Sequence, residues 1–162
     1  MHEIFLLIGG NLGNRLLNIS KAIVSINKQI GKITQRSGIY ETEPWGFDHE
    51  KPFYNMVVVC ESALTPREVL SSIHSIEHKL GRVRNLKGYE GRIIDIDILF
   101  YNHLIMKEPD LIIPHPELHK RLFTLIPLME INAGFIHPAF NKSIKSLYED
   151  CPDNKSVVKI DY

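Results

Sequence analysis

Asp95 and Asp97 sit in the run Arg92-Ile93-Ile94-Asp95-Ile96-Asp97-Ile98, whose isoleucines read as a strand. Side chains alternate along a strand, so both carboxylates point one way while Ile94, Ile96, Ile98 and Phe100 point the other. Strand rise sets the pair about 7 Å apart. Two like charges at that spacing want a cation between them. Mg²⁺ suits, because it takes one or two carboxylates and completes its shell with water and substrate phosphates. A lone Asp-x-Asp is as readily a solvated sheet face, but here Arg82, Arg84, Lys87 and Arg92 crowd into the segment just before it. Guanidinium forks bind phosphate oxygens in pairs and keep their charge, so metal and arginines together point to a polyphosphate. Arg82 and Arg84 also follow a helix end, where they would complement its dipole.

A second group suits a flat heteroaromatic ligand. Phe53 and Asn55 share one face of a strand, setting an aromatic ring beside an amide that both donates and accepts. Thr42 and Trp45, from the preceding strand end and loop, complete the group. His115 and His119 stand four apart, but with Pro116 between them and no cysteine nearby they make a poor zinc pair. Phosphate contact by His115 and Arg121 fits better. Gly9-Gly10-Asn11-Leu12-Gly13 has the look of a phosphate-cradling turn, yet lacks the Gly-Lys-Ser/Thr ending of a P-loop.

The elements that must hold these groups emerge from periodicity. Ile4 to Ile8 predicts a strand closed by the glycine turn, and Leu16, Ile19, Ile23 and Ile26 recur at helical spacing up to Gly31. Ile33 to Thr42 and Phe53 to Ser62 predict strands. Thr65-Pro66-Arg67-Glu68 is a capping-box start for a helix reaching about Leu80, with Gly81 as its stop. Arg92 to Tyr101 is the next strand. The order βαββαβ predicts an α+β, ferredoxin-like plan, an antiparallel-rich sheet with the two helices on one face. A C-terminal extension carries weaker signals: a strand at Leu104 to Met106, a turn near Pro109-Asp110, and short helices at Pro127 to Ile131 and Ser143 to Tyr148. The segment Asn85 to Gly91, with two glycines and flanking arginines, is predicted to close over bound phosphates.

Composition limits the alternatives. A chain of 162 residues, 44% hydrophobic and 23% charged, predicts one domain over residues 1–162. No stretch has the length for a membrane span and no basic leader precedes Ile4, so a soluble cytoplasmic protein is expected. Lys plus Arg and Asp plus Glu both total 19, which removes the global pull on nucleic acid and makes any anion site local. Cys60 ends an apolar run and reads as a small buried hydrophobe.

In this order the motifs resemble 6-hydroxymethyl-7,8-dihydropterin pyrophosphokinase of folate biosynthesis. The resemblance runs from Gly9-Gly10-Asn11-Leu12 through Tyr40-Glu41-Thr42-Glu43-Pro44, Phe53-Tyr54-Asn55, Gly81-Arg82-Val83-Arg84 and Arg92 to Ile98, and on to Pro114-His115 and Arg121-Leu122-Phe123. It implies transfer of the β,γ-pyrophosphoryl group of ATP to the pterin hydroxymethyl oxygen, with release of AMP. Asp95 and Asp97 would bind two Mg²⁺ ions, with Arg82 and Arg92 beside them in catalysis. ATP would be held by His74, Glu77, Arg84, Lys87, Ile98, His115 and Arg121. The pterin would meet Thr42, Glu43, Asn55 and the backbone of Trp45, between the rings of Phe53 and Phe123. Both partners would be small molecules, and the enzyme a monomer. The chain departs from the family's usual basic-aromatic-Gly-Pro-Arg segment, reading Gly88-Tyr89-Glu90-Gly91-Arg92; Lys87 is the nearest replacement for the missing loop arginine. His74 stands where an amide is frequent, and Pro116 where an aromatic is.

Two other classes use similar parts. A nucleotidyltransferase would release pyrophosphate, and a non-catalytic ferredoxin-like module would bind ATP without turnover.

Overall fold

The computed structural model describes residues 1–43, 51–81 and 92–162. The chain runs β1 (His2–Gly10), α1 (Arg15–Gln29), β2 (Lys32–Arg36), β3 (Tyr40–Thr42), β4 (Phe53–Ser62), α2 (Pro66–Lys79) and β5 (Asp95–Tyr101). It continues through β6 (Met106–Glu108), β7 (Leu111–Ile113), a 3₁₀ turn at Leu118–Lys120 and α3 (Leu122–Asn132). Then come β8 (Ile136–His137), β9 (Lys142–Ser143), α4 (Ile144–Glu149) and β10 (Val157–Lys159).

The first strand explains the layering. Its apolar run has no polar face, because the sheet is covered on both sides. Ile4, Leu6 and Ile8 enter one core with Ile26, Val69 and Ile73, residues of α1 and α2. Phe5 and Leu7 enter a second core with Leu125 and Leu128 of α3 and Leu147 of α4. The main sheet has the order β10-β3-β4-β1-β5, with β2 also on β4, and every pairing is antiparallel. This is the predicted α+β plan, with α1 and α2 on one face and the later helices on the other.

Local signals account for most boundaries. Thr65 and Glu68 form the reciprocal capping box, with Thr65 N donating to Glu68 Oε2 at 2.8 Å. Gly81 ends the helix at φ +95°, a conformation that favours glycine. The predicted strand from Ile33 to Thr42 is two strands, broken where the buried Ser37 hydroxyl accepts from Val57 N at 3.0 Å and donates to Gly38 O at 2.7 Å. The last helices differ more: α3 starts at Leu122 and takes Pro127 inside, where the residue pattern had suggested a start at the proline.

Phe100 corrects the simple alternation. Phe5 pairs with Phe100 and Leu6 with Ile98, so Leu99 is an extra residue in β5 and the phase flips there. Ile94, Ile96 and Ile98 lie under the first two helices as expected, whereas Phe100 turns to the second core. Among the described residues no helix is long and apolar enough to cross a membrane. Cys60 is fully buried, which pushes its thiol up to about 12, and both cysteines are free.

His137 gives the second core a pH dependence. Its Nδ1 accepts the backbone N–H groups of Ala139 and Phe140, each at 3.1 Å, so the ring is neutral with its proton on Nε2. Burial, with His119 adding repulsion, lowers its pKa to about 4. Below the ordinary histidine value of about 6.5 the unfolded chain takes up the proton first, so stability falls with pH through this window. The loss saturates below the folded value, at about 3 kcal/mol for this group. Urea unfolding at pH 7.5 and pH 4 should show it as an extra loss in the wild-type chain relative to His137→Gln. Identical losses in both chains would rule out this source.

Candidate active site

Register brings the predicted groups together. Tyr40, Asn55, Gly9 and Asp95 are successive partners across β3, β4, β1 and β5. Thr42 pairs with Phe53, and Leu7 with Asp97, in the neighbouring rows. All lie at the end of the sheet where the second core stops. Gly9 has no side chain between Asn55 and Asp95, and a Cβ there would overlap Asn55 Oδ1. Glycine therefore opens the floor joining the amide to the carboxylates.

Two clefts meet at Asp95 and Asp97. The first, about 570 Å³, is lined by Thr42, Glu43, Phe53, Asn55, Arg92, Arg121 and Phe123 together with both aspartates. The second, about 850 Å³, is lined by His74, Glu77, Ile98, His115 and Pro116 together with the same two aspartates. Five of the six residues expected for a pterin, all but Trp45, thus line one cleft, and most of those expected for ATP line the other. Arg121 lines the first cleft, with its guanidinium 5.6 Å from the Phe123 ring centre. Trp45, Arg82, Arg84, Lys87 and the Asn85 to Gly91 segment lie outside the described residues.

Hydrogen bonds pre-set several of these groups. Asn55 is buried and donates from Nδ2 to Thr42 Oγ1 at 3.0 Å. Arg92 donates to Asp95 Oδ2 at 2.8 Å. Asn11, fully buried, accepts from Arg92 N at 2.7 Å and donates to Lys51 O at 3.1 Å. The Gly9-Gly10-Asn11 run is therefore the end of a strand and a brace for Arg92. Sequence alone could not single out Asn11, because only the closed sheet shows which loops it ties. Glu77 Oε2 accepts from Ile96 N at 3.0 Å, which covers part of the outer edge of β5. By alternation the backbone of Ile98 faces the same outer side.

The electrostatics favour a bound cation. Burial, then the Asp95 charge and that of Glu77, raises Asp97 well above the ordinary carboxylate range, with Arg121 and Arg92 opposing. His115 accepts from Glu117 N at Nδ1 over 3.1 Å, and burial followed by Arg121 lowers its pKa to about 4. It is a neutral ring with an Nε2–H to offer. His119 goes elsewhere, its ring edge-on to Phe140 with centroids 4.7 Å apart, so the two histidines form no pair. Among the described residues no three His, Cys, Asp or Glu side chains form a metal cage. The fit is to a hard cation on Asp95 and Asp97 that draws its other oxygens from water and phosphate, as Mg²⁺ does.

The family model described as 7,8-dihydro-6-hydroxymethylpterin-pyrophosphokinase matches residues 5–133. The chain belongs to that family. The 2-amino-4-hydroxy-6-hydroxymethyldihydropteridine pyrophosphokinase of Porphyromonas gingivalis is 38% identical over 85% of this chain and 95% of its own length. The Aquifex aeolicus enzyme of the same name is 37% identical over 90% of this chain and 89% of its own. Folic acid synthesis protein fol1 of Pneumocystis carinii is 38% identical over 93% of this chain, which spans only 20% of that longer protein. Plasmodium falciparum HPPK-DHPS, crystallised with pteroate, shares the fold at a TM-score of 0.78 and 19% identity, over 92% of this chain and 44% of that one. The pyrophosphokinase reaction, transfer of the pyrophosphoryl group of ATP to 6-hydroxymethyl-7,8-dihydropterin in folate biosynthesis, is the activity of this chain. The nucleotidyltransferase and binding-module alternatives fall away.

Proposed function

We propose that the cleft of Thr42, Phe53, Asn55 and Phe123 holds the pterin, and that the cleft of His74, Glu77, Ile98 and His115 holds ATP. The observation that carries this reading is that Asp95 and Asp97 line both clefts. The pterin hydroxymethyl oxygen then meets the β-phosphorus at the aspartates. A bond forms from that oxygen to phosphorus as the bond to the α,β-bridging oxygen breaks, leaving AMP. The hydroxyl proton passes to solvent water in the same exchange.

Each side chain has its own task. Asn55, held by Thr42, reads the polar edge of the pterin, and Glu43 lies at the same wall. Phe53 and Phe123 stack on its faces, and the backbone of Trp45 completes the edge. Arg92, oriented by Asp95 and Asn11, and Arg121 draw the phosphate charge, with Arg82, Arg84 and Lys87 adding to it. His115 donates from Nε2 to a phosphate oxygen. The outer edge of β5 at Ile98 presents backbone groups to the adenine. Asp95 and Asp97 would hold two Mg²⁺ ions, which would supply charge neutralisation on the phosphates. The chain works as one domain over residues 1–162, as a monomer in the cytoplasm, on small molecules and without nucleic acid. One chain lines both clefts and the net charge is zero, which supports this reading.

The test is the product of ATP, Mg²⁺ and the hydroxymethyl-dihydropterin. AMP is expected in step with pterin diphosphate, whereas ADP or free pyrophosphate as the main product would overturn the reading.

A further inference from the structure

Helix α3 carries Phe123 in its first turn and begins directly after Arg121, so its start forms one wall of the pterin-side cleft. Its first N–H groups need partners, yet the residue at its cap position, Arg121, gives no side-chain cap. The partner comes from far along the chain: Leu122 N donates to Asp153 Oδ2 at 3.0 Å. The other carboxylate oxygen, Oδ1, accepts from Lys155 N at 2.9 Å, which fixes the aspartate within its own loop. A carboxylate at this place also complements the helix dipole.

The same segment fastens the opposite wall. Lys155 Nζ lies 3.6 Å from Glu43 Oε2, beside Thr42. Val157, Val158 and Lys159 pair with Thr42, Glu41 and Tyr40. Lys159 Nζ reaches Glu130 Oε1 at 3.2 Å, and Glu130 also accepts from Gly38 N at 3.0 Å and from the Tyr40 hydroxyl. Residues 153–159 therefore tie the start of α3 to β3 across the cleft. They lie beyond the span, residues 5–133, that matches the family model.

We infer that Asp153 is a positioning residue for the pterin: as the remote cap of α3 it sets Phe123 at its working separation from Thr42 and Asn55. It touches neither substrate nor metal in this role. The inference rests on the pterin assignment above and adds a residue to it. Among the described residues the nucleotide cleft shares only Asp95 and Asp97 with the pterin cleft, so the effect falls on one substrate.

The experiment compares the wild-type chain with Asp153→Ala and Asp153→Asn. Formation of AMP by the wild type confirms turnover, and Asn55→Ala tests the assignment itself; a pterin KM unmoved in that variant would sink the foundation and be recognised as such. With AMP formed, Asp153→Ala should raise the KM for the pterin about tenfold and leave that for ATP within about twofold. Pterin titration in the presence of α,β-methylene ATP, which blocks transfer, should show the same loss of affinity. Asp153→Asn keeps an oxygen acceptor and should return pterin KM to within about threefold of wild type. An unchanged pterin KM and affinity in Asp153→Ala would overturn the inference. So would equal rises for both substrates with a lowered Tm. If Asp153→Ala does not fold, Asp153→Glu displaces the carboxylate by one methylene, and a pterin KM equal to wild type there would overturn it too.

Discussion

Asp97→Asn should lower kcat by about a thousandfold, about 4 kcal/mol in the barrier, while leaving the folded chain at least as stable. The two halves of this result have one cause. Asp97 is held where burial and the charges of Asp95 and Glu77 oppose its ionised form, and it lines both substrate clefts. Such a carboxylate costs stability in the free protein and is retained for what it binds. An amide of the same shape removes the repulsion but supplies only a weak, neutral oxygen to a hard cation. Turnover at saturating Mg²⁺ and a thermal melt without substrates check both halves. Near-normal turnover in the variant would remove Asp97 from the metal site, and a sharply lowered Tm would mean that its charge supports the fold.

Asn55→Ala should raise the KM for the pterin about a hundredfold, equal to about 2.7 kcal/mol, and barely move that for ATP. Asn55 is buried, and its Nδ2 is fixed on Thr42 Oγ1 at 3.0 Å. Removing the amide takes away the pterin's buried partner and leaves the Thr42 hydroxyl without its donor; each such loss costs about 1–3 kcal/mol. The fold should lose about 1 kcal/mol in urea, because Asn55 makes one side-chain hydrogen bond inside a strand that is otherwise paired on both sides. Steady-state kinetics with each substrate varied in turn separates the outcomes. A rise confined to ATP would mean the two clefts have been assigned the wrong way round.

Much of this arrangement was legible in the residue pattern. Strand alternation set Asp95 beside Asp97 and Phe53 beside Asn55, and the Thr65-Glu68 capping box fixed the start of α2. What stayed hidden depends on long-range register. Nothing near Leu99 announces an extra residue, since Ile98, Leu99 and Phe100 are all apolar and the partner strand decides which one bulges. Gly9 looked like a turn because glycine usually marks one, whereas its use is to leave open the space between Asn55 and Asp95. Asp153 gave no signal because the helix it caps begins 31 residues earlier in the chain. Such a cap has no local sequence signature, unlike Thr65.

The order of the sheet also bears on how the molecule avoids its own copies. A strand with a bare flank invites pairing with the same strand of another molecule. On one side the sheet ends in β10, only three residues long and bounded by Lys159, while β2, which pairs with β4, exposes Lys32, Gln35 and Arg36. On the other side it ends in β5, where Glu77 takes the Ile96 N–H and a nucleotide would cover the edge beyond it. The segment that braces the pterin cleft is thus also the shield of β3, and a chain lacking residues 153–159 would present a ready template for strand addition and self-association.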